Sequence, residues 1–267
     1  MNTIEDRKAV RMLVRAREDY QGVRKRLDNR MGRKADGTEQ DVGERTFRAE
    51  DFEAFKALAD NAREQEKAVE KMLLNVLKRF SVYTNYLAHV KGVGPIAAGW
   101  IVGEYDIEKA TTVSKLWQFT GLNPGLVWGQ KRVDDGEDKF HYVLTDKLVR
   151  GDKLTEGFVA PFNQRLRTAL VGVMADGFIK AQNSYALDYY YPYKSRLEQE
   201  ANPIAGEEKA WSEVSKGHRD RAAKRYMVKM FLKDLYVAWR TIEGLPMRAP
   251  YAEEYLGKQH EPVLAGR

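Results

Sequence analysis

Two long stretches near the start of the chain carry apolar residues at helical spacing, and they constrain the fold most. Residues 4–31 and about 49–80 repeat apolar side chains at steps of three and four, the pattern of an amphipathic helix. The first stripe comprises Val10, Leu13, Val14, Tyr20, Val23, Leu27 and Met31. The second comprises Phe52, Phe55, Leu58, Ala62, Val69, Met72, Leu73, Val76 and Leu77. The second helix would be roughly 45 Å long. A polar, glycine-bearing loop over residues 32–43 separates the two, which predicts an extended, coiled-coil-like helical hairpin; two ordinary helices of a bundle are the alternative.

Composition sets the size and class of the fold. The chain has 267 residues, enough for one large domain or two modest ones, and 43% of them are hydrophobic. Charged residues make up 31% and prolines number 8, which favours a mainly α protein over a β-sandwich or a disordered chain. We predict a helical hairpin over residues 1–85, a second helical domain over residues 86–246 and a surface tail over residues 247–267.

The second domain shows a short interruption of its helical pattern. Asp135-Gly136 is a turn signal, and KFHYVL at residues 139–144 has the composition of a strand, so a small β-hairpin is predicted. The helical pattern resumes at Pro161, which fits a first helical turn. A last long helix is predicted over about residues 218–243.

Several kinds of chemistry are not supported by the sequence. The chain has no cysteine, which excludes disulfides, thiolate metal sites and cysteine nucleophiles. Its four histidines do not pair at metal spacing, so neither a metal nor a cofactor is predicted. No apolar run reaches the roughly 18 residues of a membrane helix, and the first residues are polar and acidic. We therefore expect a cytoplasmic protein that does not enter a membrane.

Positive charge is concentrated near the end of the chain. The formal net charge is +6, and residues 216–240 hold eight Lys and Arg against two Asp, an excess equal to that of the whole chain. Within this segment Arg221, Arg225, Lys229 and Lys233 recur at four-residue steps. A basic stripe on a helix can follow a phosphate backbone. The alternative is an ordinary solvated helix face.

A glycine bend lies between the two predicted domains, at KGVGP (residues 91–95). Gly92 and Gly94 carry no Cβ and can take positive φ, so a phosphate could approach their N–H groups closely. Pro95 would begin a helix whose first free N–H groups and dipole also favour an anion, with Lys91 adding charge and Val93 fixing the turn from inside. The spacing resembles the helix-hairpin-helix motif. A tight helix-helix turn that binds nothing is the alternative.

The residues after the bend extend this pattern. GVGPIAAGWIVGEY is followed by TTVSKLWQFTGLNPG, with a helix predicted from near Thr112 to Gly121. Together they resemble the C-terminal domain of the insertion-sequence transposases that join an RNase-H-like DEDD nuclease to a helix-hairpin-helix domain, some of which are described as RNA-guided bridge recombinases. The family's Gly-Leu-x-Pro signature corresponds to residues 121–124, and its Asn-x-Arg-Leu-Arg helix to residues 163–167. The resemblance spans about residues 87–173 and implies a DNA-handling domain, with Arg165 and Arg167 extending the basic surface.

Two departures from this family bear on catalysis. Residues 1–80 are helical and charged, without the apolar strands that carry the family's four metal-binding acids, and they resemble its linking coiled coil instead. The family's serine follows the Gly-Leu-x-Pro signature, but residues 125–160 contain no serine; their alcohols are Tyr142, Thr145 and Thr155. Without these groups the family's strand transfer has no visible agents, so no catalytic residue is assigned.

The segment Asn183–Glu198 holds five tyrosines beside Lys194 and Arg196. Tyrosines next to cations can stack on unpaired bases. They can equally pack a domain joint, the interpretation that we prefer because aromatic rings bury large areas.

Three functions remain open from sequence. The leading one is a non-catalytic protein of a mobile element that binds DNA or RNA and forms homo-oligomers through its N-terminal helices. An active transposase or recombinase would need a serine from elsewhere, such as Ser184, or acids from a partner chain. A structural assembly protein, for which nucleic acid is incidental, is the third.

Overall fold

The computed structural model describes residues 4–32, 47–136, 139–202, 204 and 209–247. It is mainly helical with one two-stranded β-hairpin, which confirms the predicted fold class. The α-helices are α1 Ile4–Met31, α2 Ala49–Leu77, α3 Ser81–Asn85, α4 Pro95–Glu104, α5 Val113–Phe119, α6 Gln164–Arg167, α7 Ala175–Ala181, α8 Tyr191–Gln199 and α9 Lys216–Ile242. The strands are β1 Leu126–Asp134 and β2 Phe140–Arg150, a 3₁₀ turn covers Leu87–His89, and π-helical segments cover Thr168–Met174 and Ala186–Tyr190. Most of the predicted 32–43 loop and the predicted tail after residue 247 lie outside the described residues.

Contacts divide the chain into two compact units. The first contains the described residues up to Phe80 together with Ala98–Glu104, and the second contains Ser81–Ala97 and the residues from Tyr105 onward. Helix α4 therefore begins in the second unit and continues into the first.

Helices α1 and α2 form the antiparallel hairpin that the sequence predicted. Asp6 near the start of α1 pairs with Arg79 just after α2, at 3.7 Å, and Asp28 near the end of α1 pairs with Arg63 at 3.3 Å. The order of these pairs runs in opposite directions along the two helices. Met31, Phe52 and Ala59 are buried together toward one end of the hairpin.

The predicted apolar stripe of α1 is interrupted in its middle. Tyr20 and Val23 are exposed, and the seam near them is polar: the buried carboxylate of Glu66 accepts from Arg24 Nε at 2.7 Å and pairs with Arg17 at 2.8 Å. The hydrogen bond to Glu66 raises the pKa of Arg24. A paired buried charge of this kind fixes the register of two helices, because sliding one helix would leave the carboxylate unpaired.

Helix α9 is the centre of the second unit. Its buried side chains include Ala223, Met227, Val228, Phe231, Leu232, Leu235, Tyr236 and Trp239. The helix begins at Lys216, two residues before the predicted start, because the hydroxyl of Ser215 caps it by accepting from the N–H of His218. Helix α5 and both π-helical segments pack against it.

The β-hairpin is confirmed, with Gly136 in its turn at φ +80°. Pro161, in contrast, is not in the first turn of a helix. Helix α6 begins at Gln164, because the side chain of Asn163 accepts from the N–H of Leu166 at 2.9 Å and so caps the helix there. The N–H of Asn163 is held outside the helix by the carbonyl of Phe119 at 2.8 Å.

Candidate nucleic-acid interface

The glycine bend joins two helical segments, as its sequence predicted. The 3₁₀ turn Leu87–His89 precedes it and α4 begins at Pro95. The N–H of Val93 donates to the carbonyl of Val90 at 3.0 Å, which closes the turn. Gly92 has φ +92°, whereas Gly94 does not take a positive φ. The left-handed conformation is therefore needed at Gly92 only.

One side of the bend is packed. A Cβ on Gly92 would lie 3.1 Å from the carbonyl oxygen of Gly177 in α7, and the side-chain amide of Asn183 donates to the carbonyl of Lys91 at 2.9 Å. Val93 is half-buried, in keeping with its predicted position. These contacts hold the backbone of the bend in one place.

The other side of the bend faces solvent. Lys91, Gly92 and Gly94 are exposed, and a Cβ on Gly94 would meet no atom within 4 Å. The first N–H groups of α4 follow directly, and such groups lack partners within their own helix. The exposed side therefore combines open backbone with the side chain of Lys91, as a phosphate contact requires.

The basic stripe of α9 is shorter than predicted. Arg221 is exposed, and Arg225 and Lys229 are half-buried. Lys233 keeps only 7% of its surface exposed, so the interpretation of it as a surface contact is wrong. Steps of four residues advance about 40° beyond a full turn of an α-helix each time, so the fourth member of the stripe has rotated into the packed side of α9.

The structure brings Arg167 of α6 near Arg225, which also has Arg221 of the stripe as a neighbour. Burial lowers the pKa of Arg225, and the neighbouring Arg167 and Arg221 lower it further, with Asp152 opposing them. We call Arg167, Arg221 and Arg225 the arginine cluster. Arg165 is half-buried and lies two positions before Arg167, which places it on a different side of α6.

Arg167 is held in position by its surroundings. Its Nη1 donates to the backbone carbonyl of Asp152 at 2.6 Å, and its guanidinium lies 4.9 Å from the centre of the Phe162 ring. Burial also lowers the pKa of Arg167. A guanidinium fixed in this way loses little freedom when it binds an anion.

Lys229 extends the cationic surface by one turn of α9. Its ammonium lies 4.5 Å from the centre of the Trp117 ring, and the indole N–H of Trp117 donates to the carbonyl of Lys229 at 3.1 Å. Burial lowers the pKa of Lys229. Among the described residues neither Arg225 nor Lys229 forms an ion pair. Lys224, in contrast, pairs with Asp176 at 2.7 Å and with Asp220 at 3.0 Å.

Replacing Lys229 by Met is expected to raise the free energy of unfolding by about 1 kcal/mol at pH 7, because Met fills a similar volume without a desolvated charge. The lowered pKa means that the unfolded chain binds the Lys229 proton more tightly than the folded chain does. Wild-type stability therefore rises with pH between that lowered pKa and the ordinary value of 10.5, and the advantage of Met shrinks over the same interval. Urea unfolding near pH 7 and about pH 10 measures both effects. An advantage that grows with pH would contradict this account.

The tyrosine-rich segment packs against α9. Tyr185 and Tyr190 are buried, which supports the packing interpretation for these two, while Tyr191 is exposed. Tyr193 stacks on Tyr226 of α9 with ring centres 4.4 Å apart. Base stacking stays a prediction for the exposed ring alone.

A buried polar chain was missed by the sequence reasoning. Tyr86 and Tyr185 share a hydrogen bond of 3.0 Å between their hydroxyls, and Tyr185 donates to the carboxylate of Asp234 at 3.0 Å. The sequence feature that could have predicted it is MFLKDLYVAW at residues 230–239, where Asp234 lies within a mostly apolar stretch of a helix. A lone acid in such a place needs buried donors.

Neither a metal-binding cluster nor a membrane-spanning helix is found in the part of the chain that the structure describes. It holds no group of three or more His, Asp or Glu arranged to bind a metal ion. Among the same residues, no helix combines the length and the apolar character that crossing a membrane requires.

Comparison with protein-family models, with curated proteins and with solved structures found no match. The resemblance to a transposase domain therefore stays a prediction that depends on the residues quoted above.

Proposed function

We propose that this chain is a nucleic-acid-binding protein whose second unit binds phosphate groups. The observation that carries the proposal is the arginine cluster: Arg225 is half-buried beside two further arginines, and both burial and these neighbours disfavour its charge. Folding alone gains little from three guanidinium groups in one place. A polyanion offsets their mutual repulsion, and it does so through several phosphates at once.

The bend supplies a second kind of phosphate contact within the same unit. Its exposed backbone and Lys91 suit a phosphate oxygen at the start of α4, in the manner of other helix N-termini. Contacts to phosphate groups position a nucleic acid without distinguishing one base from another. Binding through the phosphate contacts proposed here is therefore independent of sequence.

Titrating labelled duplex DNA, single-stranded DNA and duplex RNA with the full chain tests the proposal, with fluorescence anisotropy as the readout. Each phosphate contact contributes a slope of about −0.7 to −0.9 to the plot of log affinity against log salt, so three arginines and the bend predict a slope near −3. The three ligands are compared at the same salt concentrations. An affinity that does not depend on salt would refute phosphate binding.

Gly94→Val tests the bend directly. Gly94 lies outside the positive-φ region and has open space around its Cβ direction, so we expect Val to be tolerated with a melting temperature within about 2 °C of wild type. The isopropyl group would stand where a phosphate approaches, and affinity should fall about tenfold.

Gly172→Val is the matched control. Gly172 is exposed in the second unit, and a Cβ there would make only an ordinary contact of 3.9 Å with Thr168. We expect its affinity to stay at the wild-type value. Unchanged binding by a folded Gly94→Val protein would remove the bend from the interface, and the arginine cluster would then have to bind alone.

A further inference from the structure

The β-hairpin carries an apolar face that no described residue covers. In an antiparallel pair, directly opposed residues point to the same side, and every second residue along a strand shares that side. The register shifts between the pairs Trp128–Leu148 and Gln130–Leu144, but the step is even on both strands, so one set of side chains stays on one face. This outer face comprises Leu126, Trp128, Gln130, Arg132 and Asp134 of β1 with Phe140, Tyr142, Leu144, Leu148 and Arg150 of β2.

The opposite face of the hairpin is packed on the rest of its unit at the end far from the turn, whereas Val133 and Val143 nearer the turn are each 41% exposed. Val149 is buried there. A Cβ on Gly129 would lie 2.5 Å from the ring of Phe158, and the ammonium of Lys131 lies 5.5 Å from the centre of that ring. The segment that follows β2 thus closes the inner face near Gly129 and Val149. The outer face is open along its whole length and carries six large exposed apolar side chains.

The outer face is large for a surface in water. Its six big apolar side chains are all exposed, with Leu144 at 65% and Trp128 at 56%. These six are Leu126, Trp128, Phe140, Tyr142, Leu144 and Leu148. At about 100 Å² each they present roughly 600 Å², the upper range of apolar patches on monomers. Two such faces would bury roughly 1,200 Å² in total, which is enough for a specific interface.

The charges on this face identify the partner. Arg132 pairs with Asp134 at 2.8 Å, and Arg150 pairs with Asp152, just after β2, at 2.9 Å, so both cations of the outer face are paired. Among the described residues the outer face therefore offers a polyanion no unpaired cation, in contrast to Arg225. An identical face would meet no net repulsion, and a face that is apolar in its centre and neutral at its ends is complementary to itself.

We propose that two copies of the chain dimerise by packing the outer faces of their β-hairpins against each other about a two-fold axis. Two sheets packed face to face lie about 10 Å apart, a distance that the large side chains on both faces fill. The proposal is independent of the phosphate-binding surface. It also assigns dimerisation to a different surface from the N-terminal helices.

Sedimentation of the nuclease-treated 267-residue chain tests the proposal. A monomer–dimer equilibrium is expected between about 1 and 100 µM, because an interface of this size depends on protomer concentration. Trp128→Glu combined with Leu144→Glu should weaken dimerisation at least about 100-fold, since four carboxylates would then meet in an apolar interface. Both positions are more than half exposed, so the fold tolerates the change. Met12→Glu, at an exposed site on α1, is the control and should leave the dimer intact.

A second measurement keeps the two-fold geometry testable. The chain has no cysteine, so single thiols can be placed at will. Gln130→Cys puts a thiol in the middle of the outer face of the hairpin. Lys131→Cys, at the next residue of β1, puts a thiol on the inner face. A thiol-specific cross-linker about 10 Å long should trap a dimer with Gln130→Cys and not with Lys131→Cys. A chain that stays monomeric, dimers that need nucleic acid, a dimer broken by Met12→Glu alone, or equal cross-linking from both positions would each overturn the proposal.

Discussion

Replacing Arg167 and Arg225 together by alanine is expected to lower the affinity for nucleic acid about 100-fold at moderate salt. A 100-fold loss corresponds to about 2.8 kcal/mol, so each of the two lost charge-assisted contacts is expected to account for about 1.4 kcal/mol. The salt dependence should weaken at the same time, by nearly 2 in the slope of log affinity against log salt. Anisotropy titrations at several salt concentrations give both numbers from one set of samples. A double variant that binds as tightly as wild type would refute the role of the arginine cluster.

Lys224→Gln is the matched control for this pair. Lys224 lies next to Arg225 on α9 and carries the same charge, but its ammonium is engaged with Asp176 at 2.7 Å and Asp220 at 3.0 Å. Removing it changes the net charge by one and should change the affinity less than threefold, about 0.6 kcal/mol. If Lys224→Gln weakened binding as much as either arginine variant, total charge rather than the arrangement of the arginines would govern the affinity.

The contrast between Arg225 and Lys224 shows what local sequence can and cannot predict. The period of apolar residues placed α1, α2 and α9 close to their observed ends, because each helix must bury one stripe of its own residues. The turn signal at Asp135-Gly136 placed the β-hairpin, because few residues accept its backbone angles. Both signals are contained within one element.

The arginine cluster could not be predicted in this way. Arg167 and Arg225 are far apart in sequence, and they become neighbours because the π-helical segment Thr168–Met174, which directly follows α6, packs against α9. The sequence showed four evenly spaced cations on α9, but it did not show that the last of them, Lys233, is buried. Which cations are neutralised also depends on tertiary contacts, such as that between Lys224 and Asp176. Partial agreement of this kind is typical when the site lies between elements.

Asp234→Ala is expected to lower the free energy of unfolding by about 3 kcal/mol. Its carboxylate is buried and accepts the hydroxyl of Tyr185, so Tyr86 must donate in turn to the oxygen of Tyr185. Burial is the main reason that the pKa of Tyr185 is raised, and the neighbouring Tyr86 and Asp234 add to it. Alanine would leave a buried hydroxyl without its acceptor and a cavity beside it. Thermal unfolding should show a decrease of roughly 10 °C in melting temperature.

Asp234→Asn and Tyr185→Phe separate the causes of that loss. Asparagine keeps an oxygen that can accept from Tyr185, so its cost should be about 1 kcal/mol less than that of alanine. Once Tyr185→Phe has removed the donor, the difference between Asn and Ala at position 234 should shrink, which a double-mutant cycle measures. Equal costs in both backgrounds would show that Asp234 acts through other contacts.

The hydrogen-bonded series Tyr86–Tyr185–Asp234 connects α9 to the chain segment that leads into the bend. Tyr86 directly precedes the 3₁₀ turn that leads into residues 91–95, and its hydroxyl is tied through Tyr185 to α9. The bend is also held by contacts that do not involve Asp234: the backbone of Gly92 lies close to that of Gly177 in α7, and the side-chain amide of Asn183 donates to the carbonyl of Lys91 at 2.9 Å. Because these contacts remain when Asp234 is replaced, Asp234→Asn should keep the bend in place and bind nucleic acid with wild-type affinity below its melting temperature. A loss of affinity in that folded variant would mean that the buried chain, and not Gly92, positions the phosphate-binding backbone.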